Sequence, residues 1–133
     1  MTDRPDGWES PAAHTLGKKT LIADKERAYV KHSFVAGPSF INRNGVVHGG
    51  FLVAMLDSLC GHAVRTTHGD AEVPQVTLEL KTSFIGRALP GELVGEGWVR
   101  HRGKSIAFAE AELRSADGNL VARASATFKI GKS

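Results

Sequence analysis

One segment limits the possible folds more than any other. From Phe51 to about Arg65 the chain reads as a helix with apolar residues around almost its whole circumference. Leu52, Leu56, Leu59 and Ala63 recur at steps of three and four, and Phe51, Met55 and His62 follow at wider ones. A helix of that kind is buried. The stretch "THGD" (Thr67 to Asp70) ends it, with Gly69 as the breaker.

What surrounds this helix is strand. "TLIADKERAYVKHSFVA" (Thr20 to Ala36) reads as two short strands joined by a turn at "ADKE", with Ala28, Val30, His32 and Phe34 on one face. "GPSFINRNG" is a loop. Beyond Val73, "VPQVTLELKTSFIG" alternates, predicting Val76, Leu78 and Leu80 on one face and Thr77, Glu79 and Lys81 on the other. Three further strands follow, separated by the turn signals "RGK" and "ADGN". Two strands, one buried helix and four antiparallel strands make an α+β chain, and a sheet must curl to bury a lone helix.

At 133 residues the chain reads as one domain over 1–133, with residues 1–14 as a loose arm or short helix containing Pro5, Gly7 and Pro11. No run of eighteen apolar residues predicts a membrane span, and the N-terminus lacks a signal peptide's apolar region. A single cysteine, Cys60, permits no intrachain disulfide and makes a cytoplasmic setting the expectation. The net charge of +3 is spread along the chain, which argues against nucleic acid and suits an anionic small ligand. No His-x-x-x-His or Cys-x-x-Cys pattern predicts a metal, and nothing predicts a cofactor.

Candidate chemistry centres on Asp57, a carboxylate in the middle of the apolar helix. Val53 and Gly61, one turn to either side, offer no cation, so burial there would make it a better base. His48, Gly49 and Gly50 immediately precede the helix, where backbone amides lack intrahelical partners and favour negative charge. Such amides can hold the oxyanion of an acyl-transfer transition state. Yet Gly49 and Asp57 are eight residues apart, about 12 Å along a helix. One chain cannot bring both to one carbonyl. Two chains with antiparallel helices can.

These residues, Asn42, His48, Gly49, Gly50, Asp57 and Gly61 in "NRNGVVHGGFLVAMLDSLCG", together with "DGNLVARASATFKI" near the end, resemble the hotdog-fold thioesterases, in particular the PaaI-like (phenylacetate-pathway) acyl-CoA group. The resemblance covers roughly residues 20–130 and implies the hotdog fold, a long central helix wrapped by a curved antiparallel sheet. It implies an acyl-CoA substrate and a homodimer with shared active sites, which the family often pairs into tetramers. By position it makes Asp57 the general base or nucleophile and Gly49 the oxyanion donor. Asn42 would lie near the carbonyl or leaving sulfur, His48 would shape the same loop, and Thr77 would hold the attacking water. No Gly-x-Ser-x-Gly elbow is present. For the coenzyme's phosphates, Arg87 and the hairpin residues Arg102, Lys104 and Ser105 are the candidates, with Gly50 beside the thioester.

Two other readings remain open on sequence alone. A hotdog-fold hydratase or dehydratase would need a histidine–carboxylate pair, and His48 and Asp57 are too far apart along one chain to form it. A non-catalytic acyl-CoA-binding protein would need no base at all.

Overall fold

The computed structural model describes residues 9–131. In chain order the elements are α1 (Pro11–Thr15), β1 (Lys19–Asp24), β2 (Tyr29–Ala36), α2 (Gly49–Arg65), β3 (Gln75–Phe84), β4 (Gly91–Arg102), β5 (Ile106–Ser115) and β6 (Leu120–Ile130), with 3-10 turns at Pro38–Phe40 and Thr66–His68. The six strands form one antiparallel sheet in the order β1-β2-β4-β5-β6-β3, curved around α2. This is the wrapped-helix architecture expected above. Of the expected N-terminal arm, the first eight residues lie outside the described range. The rest is not loose: Pro11–Thr15 is helical because Ser10 accepts from the Ala13 amide at 3.1 Å and proline starts the first turn.

Close approach of the sheet to α2 depends on small residues. A Cβ on Gly97 of β4 would stand 2.7 Å from the Leu59 carbonyl oxygen, so only glycine lets the helix backbone rest there. On β5 and β6, Ala107, Ala109, Ala111, Ala122, Ala124 and Ala126 are buried beneath the helix. Into this shallow floor α2 presses Leu52, Met55, Leu56, Leu59, Cys60, Ala63 and Val64, while Val30, His32 and Phe34 line up from β2 as expected. Each large buried side chain contributes about 1.5–3 kcal/mol of transfer free energy.

Two expectations need correction. First, α2 is not apolar all round. Ala54, Asp57, Ser58 and Arg65 border an open cleft, and Asp57 is half-buried. Second, β3 does not alternate simply. Thr77 pairs with Phe128 and Glu79 with Thr127, so Leu78 is an extra residue, a β-bulge. The bulge inverts the facing of everything before it. Gln75 and Thr77 turn to the concave side, and so do Leu80, Thr82 and Phe84 beyond it, leaving Val76 and Leu78 each 57% exposed. Strict alternation would have given the concave side either Thr77 or Leu80; the bulge gives it both. No helix among the described residues is long and apolar enough to cross a membrane.

Candidate active site

The approach to α2 is a tight turn. The Asn42 side-chain oxygen accepts from the amides of Asn44 (2.9 Å) and Val46 (3.3 Å), and Ile41 bridges Val47. Asn42 therefore shapes this turn with its oxygen. His48 then caps the helix: its Nδ1 accepts from the Gly50 amide at 3.1 Å, and its carbonyl accepts from Phe51. Between those two, the Gly49 amide donates to no group among the described residues. Glycine is not needed at position 49 for a left-handed backbone. A Cβ there would stand 3.1 Å from the ring of Phe84, close enough that the ring would have to give by a few tenths of an ångström.

Two turns along, Asp57 accepts a hydrogen bond from the Thr77 hydroxyl at 2.8 Å. The bulge in β3 makes this contact possible. No lysine or arginine among the described residues forms an ion pair with Asp57. Both side chains open onto a cleft of about 940 Å³ that runs along α2 past Ser58 and Gly61 to Arg65 and Lys18. Small residues at 54, 58 and 61 keep it open.

At the far end of α2 the contacts are polar and largely satisfied. His32 Nε2 and His62 Nδ1 are 2.7 Å apart, joining β2 to the helix. Burial, then the charge of Lys18, the neighbouring His62 and Arg65 push His32 down to about 3. Burial, then Lys18 and Arg65, push His62 down to about 4. Both are neutral near pH 7. Lys18 is itself lowered by burial, an effect opposed by Glu9 at 3.6 Å. Cys60, its thiol raised by burial to about 12, is a core residue rather than a nucleophile.

The candidate phosphate ligands are not one group within the chain. Arg87 is exposed beside Ala88, whose carbonyl accepts from Val47 at the start of α2. Arg102, Lys104 and Ser105 lie at the other end. Arg102 donates to Thr67 (2.9 Å), approaches His68 (3.2 Å) and binds the Gly103 carbonyl. His68 in turn meets Gln75 at 2.8 Å, and Gln75 donates to the Gly61 carbonyl at 2.9 Å. This relay went unread in the sequence because a bulge decides which way Gln75 points. Gly50 is exposed and its amide is taken by His48.

The chain thus holds a carboxylate with a hydroxyl partner and, elsewhere on the same helix, an undonated amide. A profile of the thioesterase superfamily matches residues 44–122, the span that contains both. The chain belongs to that superfamily. It is a thioester hydrolase with the hotdog fold. Its structure is similar to that of a candidate thioesterase of Ralstonia eutropha JMP134, a phenylacetic acid degradation-related protein. The two are 37% identical with a TM-score of 0.86, over 93% of each chain. A candidate esterase of Saccharolobus solfataricus is 35% identical over 115 residues, 86% of this chain and 79% of that one. Mouse acyl-coenzyme A thioesterase 13 is 29% identical over 92 residues, 68% of this chain and 64% of that one.

Proposed function

We propose that this thioesterase hydrolyses acyl-CoA to free acid and CoA at sites shared by two subunits. Asp57 and Thr77 come from one subunit and the Gly49 amide from the other. The observation that carries the reading is the separation, along one helix, of an undonated amide from the Asp57–Thr77 pair. Neither half is a site alone, and a two-fold axis near Val53 with antiparallel helices joins them.

A thioester carbon is electrophilic and its thiolate leaves readily, so an activated water and a stabilised oxyanion suffice. The Thr77 hydroxyl donates to one Asp57 oxygen, leaving the other to take a proton from water. Water oxygen bonds to the carbonyl carbon, the carbonyl oxygen becomes an oxyanion held by Gly49 of the partner subunit, and collapse breaks the carbon–sulfur bond. The proton held by Asp57 passes to the departing sulfur. Direct attack by Asp57 is the competing route, and single turnover in labelled water separates them, since direct attack leaves the first labelled oxygen in the carboxylate.

The dimer reading is supported by β3, an edge strand with exposed Val76 and Leu78, a surface that otherwise invites aggregation. Pairing of dimers into tetramers extends the same assembly. The same two-fold axis carries Arg87 of the partner subunit toward the Arg102–Ser105 hairpin, so the divided cations meet around the nucleotide. Lys104 and Arg87 are exposed and make no ion pair among the described residues, so both are free to meet phosphate. Asn42 and His48 fix the loop that aims the Gly49 amide, beside Gly50.

The test is thiol release from a panel of acyl-CoAs, with the assembly measured by light scattering. Turnover by a dimer or tetramer supports the reading. Full activity in a monomer contradicts the shared site, and binding without turnover favours the non-catalytic alternative.

A further inference from the structure

We infer that Phe84 is a specificity-determining residue of this site. Its ring forms the wall against which the acyl carbons beside the thioester carbonyl pack, so the enzyme prefers acyl groups that are apolar at C2 and C3. The inference rests on Gly49 holding the carbonyl. Beyond the bulge, Phe84 shares the concave face with Leu80 and Thr82, and its ring lies against Gly49 in the first turn of α2. Had Gly49 a Cβ, it would meet the ring's Cζ at 3.1 Å and Cε1 at 3.2 Å. The ring stays 56% exposed, and Ile85 next in sequence is 52% exposed.

A carbonyl oxygen accepting from the Gly49 amide lies about 2.9 Å from that nitrogen. Its carbon and the acyl group it carries then fall within a ring's breadth of Phe84. Apolar acyl carbons gain from covering the open ring face. A hydroxyl there loses water and finds few replacements. His48 Nδ1 is occupied by the Gly50 amide. The Thr82 hydroxyl oxygen, two residues back on the same face, has no partner among the described residues but is buried and not presented at the surface. An apolar wall discriminates against an added hydroxyl by roughly 10–100-fold.

The experiment compares kcat/KM for butyryl-CoA and 3-hydroxybutyryl-CoA in the wild type, Phe84→Ala and Phe84→Leu. The wild type should favour butyryl-CoA by about 10-fold or more. Phe84→Ala should bring the two within about threefold by losing rate on butyryl-CoA, while Phe84→Leu keeps most of the preference. Gly49→Ala, which drives a methyl into the ring, should regain activity when combined with Phe84→Ala. Equal losses on both substrates, or none, would overturn the inference while leaving the thioesterase site intact. A wild type that releases thiol from no acyl-CoA would instead remove the acyl-CoA reading on which it rests.

Discussion

The two ends of α2 are built on opposite principles. At its C-terminal end the carbonyls are answered by side chains: Gln75 donates to Gly61, Thr66 to Ala63 and Thr67 to Val64, with Arg102 bracing Thr67 from the β4–β5 hairpin. His62 is tied to His32 across the core. At its N-terminal end the Gly49 amide has no acceptor among the described residues, and the exposed ring of Phe84 stands beside Gly49. A helix end needs partners for its orphan groups. One end has them, and the other keeps a donor in reserve. The helix carbonyls are answered where no chemistry is proposed, although His32 Nδ1 beside them is buried with no partner among the described residues. The undonated amide sits where a substrate oxygen can supply the missing bond.

Breaking the reactive half should have the largest effects. Asp57→Asn removes the base and should lower kcat by about 10³-fold with KM within a few-fold, as measured by steady-state thiol release. A variant retaining most of its turnover would exclude Asp57 from the chemistry. Gly49→Ala keeps the amide but pushes it off line against Phe84, and should cost about 10–100-fold in kcat. Neither change should alter the unfolding midpoint as much as it alters rate.

The satisfied half should respond in stability instead. Unfolded histidines titrate near 6.5, whereas His32 and His62 are held down to about 3 and about 4. Below pH 6.5 the unfolded chain therefore binds protons that the folded chain refuses. The stability from the neutral pair is complete above that pH and is lost as pH falls toward 4. Urea unfolding should show a loss of about 3–4 kcal/mol between pH 7 and 5, roughly 2 kcal/mol per histidine. The double variant His32→Leu/His62→Leu should flatten that slope, and an unchanged slope would mean that the pair is not neutral in the fold. The smallest effect belongs to Lys104→Ala: KM for acyl-CoA should rise about two- to fivefold, less at high salt, with kcat unchanged.

Much of this contrast could be read from the sequence, and unevenly so. The helix, the four strands after it and their turns follow from periodicity and from Asp-Gly and Arg-Gly-Lys signals, because those features are local. The resemblance gives Thr77 to the attacking water, and in the fold its hydroxyl donates to Asp57 at 2.8 Å. The bulge at Leu78 is not legible, since it depends on pairing with β6, and it inverts the faces of Val76 and Thr77 relative to Leu80. The same non-local register hides the Arg102–His68–Gln75 relay, and the contact of Phe84 with Gly49 joins two elements that no local spacing relates. The nearly complete apolar circumference of α2 reads as a buried helix with part of its surface kept for a partner, and within the chain the face at Ala54, Asp57 and Ser58 is open to the cleft. Arg87 and Arg102 were grouped by chemistry, and the fold places them at opposite ends of the helix.

The shared site is tested most directly by mixing two crippled subunits. Asp57→Ala and Gly49→Val, carrying different affinity tags, are co-expressed, and the mixed assembly is purified through both tags. Each mixed dimer then carries one site with a native Asp57 facing a native Gly49, and one site lacking both. The account predicts that the mixed dimer recovers about half of wild-type activity per dimer from two nearly inactive parents. Mixed dimers no more active than either parent would contradict it.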